Sequence, residues 1–320
     1  MRATAVAQPN IALIKYWGKR DLARNLPAVG SISLTLRDLQ TSMQIELRPA
    51  AALDELILNG CDNTALLPRL SQCLDNVIGS DRPRAGIVST SNFPVAAGLA
   101  SSASAFAACV VAAAAAAQRS CETDELARLA GRASGSAARS LYGGIAELRN
   151  LDDDIAVETV SESSRWPLDV VVAITSTGPK ATGSTKAMEI SRKTSPFYSD
   201  WIERQEDDLT TARQAISVRD FEQLAAIAEH NCLKMHSVMW TSRPPMVYWN
   251  AATLQCLETV RQLQREGRSV FFTMDAGPQV KAVCLPEETE RVRAALADTP
   301  GVKQIMVTSL GEGARLVGAT

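Results

Sequence analysis

The chain has 320 residues, about twice the roughly 150 of an average domain. Its 46 % apolar share is enough for an extensive core, which excludes a disordered chain and a small disulfide-stapled scaffold. With 33 basic against 35 acidic side chains the net charge is −2, so no global field recruits nucleic acid, while a locally positive cleft stays open to an anion. Seven single cysteines without a CxxC pair (61, 73, 109, 121, 232, 256 and 284) fit reduced thiols in a cytoplasmic protein. Residues 1–8 lack the continuous apolar run of a targeting signal, and the greasiest stretch, 103–117, is shorter than a membrane span.

Residues 10–16 read as a short apolar strand entering a Gly18-Lys19-Arg20 turn. Alternation over 31–36 and again over 41–47 predicts two half-buried strands, and the turn between Pro27 and Gly30 suggests antiparallel pairing in this region. Apolar positions at helical spacing predict a helix over 66–78, and 86–91 is a further strand. A long alanine-rich helix is expected over 101–118, then a second over 123–130 with Thr123 as N-cap. Trp166-Pro167 marks the boundary between domains 1–166 and 167–320.

Beyond it, 168–175 is β-branched like a covered strand, and 176–185 is a Gly/Ser/Thr-rich loop. Helices are expected over 200–216, 221–237 and 247–266, the first with an acidic, solvated face at 203–208. Strands at 269–274 and 280–285, a helix at 287–298 and a strand at 302–308 complete an α+β order.

Four segments carry residues suited to chemistry. Around Gly98-Leu99-Ala100-Ser101-Ser102 small residues precede a helix, where free backbone N–H groups and the helix dipole favour an anion. Neither GxxxxGK[ST] nor GxGxxG is present, and an ordinary capped helix fits the same residues. Arg139, close to Ser134-Gly135-Ser136, is built to fork onto a carboxylate or phosphate, or equally to pair at a surface. Lys15-Tyr16-Trp17-Gly18-Lys19-Arg20 reads either as a positive pocket wall or as a charged turn between core aromatics. Asp275 ends an apolar strand at a Gly-Pro turn, as a catalytic base or a plain turn opener would. His230 and His236 fall on different helix sides and fit no metal spacing.

Taken in order, these segments resemble the diphosphomevalonate decarboxylase family of the GHMP small-molecule kinase superfamily. The resemblance rests on 10–20, on Asn92-Phe93-Pro94 with 97–103, and on Ser134-Gly135-Ser136 with 139–144. It continues through 233–236 with Pro244-Pro245 and Tyr248-Trp249, then Met274-Asp275-Ala276-Gly277-Pro278, with a weaker 311–313. Departures are Gln279 where the family usually has Asn, Ala138 where a Cys is often found, and an unusual lead into Ser184-Thr185.

The resemblance implies a two-domain α+β GHMP kinase-like fold. Its N-terminal ATP-binding part would be like the second domain of ribosomal protein S5, and its C-terminal part ferredoxin-like. It implies a carboxy-lyase that converts (R)-5-diphosphomevalonate to isopentenyl diphosphate through phosphorylation of the C3 hydroxyl, with ATP and Mg2+ as cofactors. Asp275, Lys15 and Arg139 would be catalytic, with Arg139 also on the substrate carboxylate. Tyr16, Trp17, Lys19, Ser134, Gly135, Ser136 and Ser184 would bind substrate. Gly98, Leu99, Ala100, Ser101 and Ser102 would hold the nucleotide, with Ser101 and Ser102 near the metal. The expected partner is a small molecule, neither nucleic acid nor membrane, in a cytoplasmic homodimer. Rival readings are a 5-phosphomevalonate decarboxylase, a mevalonate-derivative 3-kinase, and a non-catalytic binding relative.

Overall fold

A computed structural model describes residues 1–93, 101–178 and 182–319. Three main sheets organise them. The first has six strands in the order Arg315–Ala319, Arg2–Ala7, Thr41–Arg48, Arg84–Ser91, Glu55–Leu58 and Cys61–Asp62, antiparallel except where Glu55–Leu58 runs parallel to Arg84–Ser91. The second is Ile155–Ser161, Ile145–Asn150, Ser31–Thr35 and Asn10–Ile14. The third is Val270–Thr273, Val280–Cys284, Asp169–Ile174 and Gln304–Ser309, antiparallel throughout. The chain's last strand thus returns to the sheet that holds its first.

The helix Ser101–Ala116 lies against Arg2–Ala7 and Thr41–Arg48 and buries eleven of its side chains. A helix apolar all round must be covered all round, and alanine lets both the sheet and the helix Leu67–Ile78 come close. The helix Phe221–Trp240 joins the second and third sheets, packing on Asn10–Ile14 and Val270–Thr273. A hydrogen bond from Thr273 Oγ1 to the Ala12 carbonyl (3.1 Å) ties those two strands directly. No described helix is long and apolar enough to cross a membrane.

Several expectations need correction. The strand Ser31–Thr35 is wholly buried, not half-buried, because its Ser31 and Thr35 hydroxyls find partners inside. Glu122, in extended backbone, is the N-cap of Thr123–Ala133, and Thr123 is already helical. The helix expected over 200–216 is two, Tyr198–Glu203 and Gln205–Val218, separated at Arg204 where φ is −93° and ψ is 2°. The end of the expected 176–185 loop is helical, since Ser184–Thr194 starts at Ser184 with Gly183 as its cap. The strands Arg2–Ala7, Ile145–Asn150 and Ile155–Ser161 carry no alternation strong enough to announce them.

One buried ion cluster stabilises the first sheet. Arg82, with a fully buried side chain, forks onto Asp54 at 2.7 and 2.9 Å and reaches Asp75 at 2.8 Å. Burial pushes the Asp54 carboxyl up, but the Arg82 fork, the Ser71 hydroxyl and the Ala85 N–H outweigh it and hold it at about 2. This contribution is present above the unfolded carboxylate value of about 3.9 and is lost as pH falls from there through about 2. Arg82→Leu strands the buried Asp54 carboxylate and is expected to destabilise the fold by about 3–5 kcal/mol. Urea denaturation at pH 7 measures this, and a change below ~1 kcal/mol, the usual worth of a surface pair, contradicts it.

Candidate active site

A cavity of about 1110 Å³ opens where the strand Asn10–Ile14, the start of Ser101–Ala116, the segment 132–139, the helix Ser184–Thr194 and the Asp275 turn converge. Single-ligand pockets reach about 1,000 Å³, so this one has room for a nucleotide and a small anion together. Among the described residues seven cationic side chains line it (Lys15, Lys19, Arg69, Arg132, Arg139, Lys186 and Lys193) against two carboxylates, Glu189 and Asp275. A chain of net charge −2 therefore carries a strongly positive cleft.

At its floor, Lys15 Nζ donates to Asp275 Oδ1 at 3.1 Å and to the Ala12 carbonyl at 2.7 Å. Lys281 Nζ meets the other carboxylate oxygen at 3.2 Å. Both lysines are buried, and the Asp275 side chain keeps 27 % exposure on the cavity side. The Lys15 backbone is fixed from both ends. Its N–H donates to Asn231 Oδ1 (2.7 Å), and its carbonyl accepts from Gln205 Nε2 (2.8 Å). Asn231 in turn donates to Gln205 (2.9 Å) and to Asp208 (2.6 Å), and Asp208 pairs with Lys234 at 2.7 Å. Of the acidic residues expected on a solvated face, Glu203, Glu206 and Asp207 are exposed, whereas Asp208 is buried and, with Gln205, part of this support.

Arg139 is 2 % exposed and sits in the short 3₁₀ turn Ala137–Leu141. It donates to Ser31 Oγ and, at 3.4 Å, to Asn10 Oδ1, with its guanidinium 6.0 Å from the Tyr16 ring centroid. Burial pushes it down to about 10, so it keeps its proton at neutral pH. The surface-pair reading of Arg139 is excluded by that burial. Among the described residues no protein group bonds the buried Tyr16 hydroxyl, and burial drives its pKa upward, leaving a neutral donor in the cavity wall. Gly135 makes room for it, because a Cβ there would stand 2.3 Å from the Tyr16 oxygen.

Trp17 forms a neutral wall, its indole bonded to Ser191 Oγ at 3.1 Å. The turn after it needs Gly18, with φ +106° and Tyr198 pressed against the missing Cβ. Lys19 reaches Thr185 Oγ1 at 3.2 Å, and burial, with Arg69 nearby, lowers its pKa. Ser101 and Ser102 open their helix at the cavity, with Ser134 donating to Ser102 at 3.4 Å. Ser136 and Ser184 also line it. Gly98, Leu99 and Ala100 lie outside the described residues.

Every described residue to which the resemblance gives a site role thus borders one space, while Arg20, expected in the positive wall, instead donates to the Leu151, Asp152 and Asp154 carbonyls. The sequence reading passed over Lys281, Asn10, Arg69 and the Gln205–Asn231 support. A lysine among Val280, Ala282, Val283 and Cys284 was the available signal for the first, since a charge in a covered strand needs a partner. Gln279 bridges the Asp275 turn to a neighbouring strand end, accepting from Thr175 N at 2.7 Å and donating to the Ser176 carbonyl at 2.6 Å. His236 accepts from Trp249 at 3.0 Å and is held near 3 by burial, so it stays neutral, while His230 is at the surface. Among the described residues no three His, Cys, Asp or Glu side chains gather as a metal cluster.

Comparison with known proteins agrees with this geometry. Residues 7–158 match the Diphosphomevalonate decarboxylase-like N-terminal domain, and residues 170–307 match the Mevalonate 5-diphosphate decarboxylase C-terminal domain. A diphosphomevalonate decarboxylase of Candida albicans is 33 % identical over 349 aligned positions, covering 97 % of this chain and 96 % of that protein. The crystal structure of mevalonate diphosphate decarboxylase from Staphylococcus aureus superposes with a TM-score of 0.93 at 33 % identity, over 99 % of this chain and 98 % of the other. A mevalonate diphosphate decarboxylase structure from Enterococcus faecalis gives 0.91 at 32 % identity, over 100 % and 99 %. With both halves matched in order and the whole two-domain α+β fold shared, the chain belongs to the diphosphomevalonate decarboxylase family of the GHMP kinase superfamily.

Proposed function

We propose that the protein converts (R)-5-diphosphomevalonate and ATP to isopentenyl diphosphate, ADP, phosphate and CO2. The observation that carries this is the Asp275 carboxylate, fixed by Lys15 and Lys281 at the floor of a cation-lined cavity that also holds Arg139 and the start of the Ser101 helix. The related MDDEF structure in complex with MVAPP, AMPPCP and magnesium supports the same ligand classes here.

Asp275 orients the C3 hydroxyl and takes its proton as that oxygen bonds to the γ-phosphorus and the bond to the ADP oxygen breaks. Lys15, on the other side of the carboxylate, stabilises the charge on the transferring phosphoryl group. Arg139 holds the substrate carboxylate. The C1–C2 bond then breaks, its electron pair forms the C2=C3 double bond, CO2 leaves, and the C3–O pair departs with phosphate. Trp17 gives the developing positive carbon a neutral wall. Tyr16, Lys19 and Ser184 bind the diphosphate, a role that the unpartnered Tyr16 hydroxyl suits. Gly135 and Ser136 shape the substrate wall, and Ser134 holds Ser102 in place.

Ser101 and Ser102 face the nucleotide phosphates and offer hydroxyl oxygens, a donor type that Mg2+ accepts together with phosphate and water. The ion, when bound, neutralises phosphate charge. The lack of an acidic cluster among the described residues fits a metal carried mainly by the nucleotide. The seven free thiols support a reducing, cytoplasmic setting.

Incubation with Mg-ATP and, separately, mevalonate and its 5-phosphate and 5-diphosphate tests the reading. Equal amounts of ADP and CO2 are expected from the diphosphate. ADP without CO2 makes the protein a kinase, preference for the monophosphate reassigns the substrate, and no ADP from any of them overturns the proposal. Gly135→Ala displaces the Tyr16 hydroxyl and is expected to raise KM for the diphosphate about tenfold or more, as misplaced binding groups do. Steady-state kinetics at saturating ATP reads this, and an unchanged KM removes Tyr16 from the diphosphate site.

A further inference from the structure

Lys281 lies on the strand Val280–Cys284, every residue of which is buried, and its own exposure is 0 %. A buried lysine needs a carboxylate, but Asp275 already has one in Lys15. Two buried ammonium groups on one carboxylate are more positive charge than a stabilising pair calls for, and a buried ion pair is weak evidence of stability in any case. The placement is also specific, with one lysine on each oxygen, Lys15 at 3.1 Å on Oδ1 and Lys281 at 3.2 Å on Oδ2. Lys281 does not border the cavity, so it acts from behind the carboxylate.

We infer that Lys281 is a positioning residue for the reaction, holding Asp275 ionised and fixing its rotation so that the side of the carboxylate exposed to the cavity meets the substrate hydroxyl. The inference rests on the role proposed for Asp275. Once negative phosphoryl oxygens enter the cavity, the extra cation also balances their charge. Among the described residues, Arg139 from the 3₁₀ turn, and Cys232 and His236 from the helix Phe221–Trp240, are further titratable groups that act on Asp275. Burial keeps Cys232 a thiol throughout and His236 a neutral imidazole above about 3. An acid limb that rises above about 3 in the neutral variants is therefore not that of Cys232 or His236.

The test compares the pH dependence of kcat for wild type, Lys281→Met, Lys281→Gln and Lys281→Arg. The Met and Gln variants are expected to move the acid limb up by about one pH unit or more, the usual effect of removing a neighbouring cation. They should lower kcat at pH 7 by about tenfold or more, with KM for ATP within about threefold, because a positioning loss falls on the chemical step. Lys281→Arg is expected to return the limb toward its wild-type position. A wild-type limb and kcat in both neutral variants overturn the inference, and so does failure of both to fold, which makes Lys281 purely structural. If wild type turns over no mevalonate derivative, the proposed function fails separately. The inference is then read from the Asp275 titration by ¹³C NMR, where an unchanged midpoint in Lys281→Met rejects it.

Discussion

Asp275→Asn lowers kcat by about 10²–10⁴-fold or more, the range for removal of a positioned proton acceptor. The amide keeps the size of the carboxylate but cannot take the C3 proton, and it leaves Lys15 and Lys281 buried without the charge between them. Asparagine is the better substitution than alanine, since it separates the loss of the base from the opening of a hole beside two ammonium groups. The measurement is ADP and CO2 release by the purified variant, with calorimetric binding of the diphosphate as the control. Binding should persist while both products disappear together. Normal turnover would remove Asp275 from the chemistry and with it the mechanism proposed above.

Arg139→Leu is the second large effect. The guanidinium is buried and held by Ser31 and Asn10, and Asn10 is itself anchored on the Ser136 carbonyl (2.9 Å) and Ser140 Oγ (2.8 Å). Truncating one member of a buried, hydrogen-bonded charge pair costs about 2–5 kcal/mol. In kcat/KM that is roughly a 30-fold to several-thousand-fold loss. Arg139→Lys is expected to recover only part, because an ammonium cannot make two parallel bonds to a carboxylate. Equal kcat/KM in Arg139→Lys and wild type would show that the carboxylate is held elsewhere.

The amino-acid order alone determined the segments that line the cavity and most of the regular elements. Leu67–Ile78 and Phe221–Trp240 follow from helical spacing, and Thr41–Arg48 from alternation, because those periods reflect which side of a single element faces the core. The ordered motifs from Asn10 to Pro278 were legible for the same reason, being short runs of fixed spacing. The burial of Ile145–Asn150 was not, since Glu147 looks like surface until Arg213 is found 2.9 Å away.

Only the tertiary structure decided which segments meet. Lys15 and Asp275 are 260 positions apart and pair because Asn10–Ile14 and Val270–Thr273 pack on the same helix. No local pattern encodes that closure. It also decided that Arg139 and Asp208 are interior charges, each legible alone as a solvated side chain, and which carboxylate Lys281 meets inside its covered strand. A charge is kept inside only by partners: Ser31 serves Arg139 and Lys234 serves Asp208 from other elements, while Lys281 meets Asp275 six positions away across the turn.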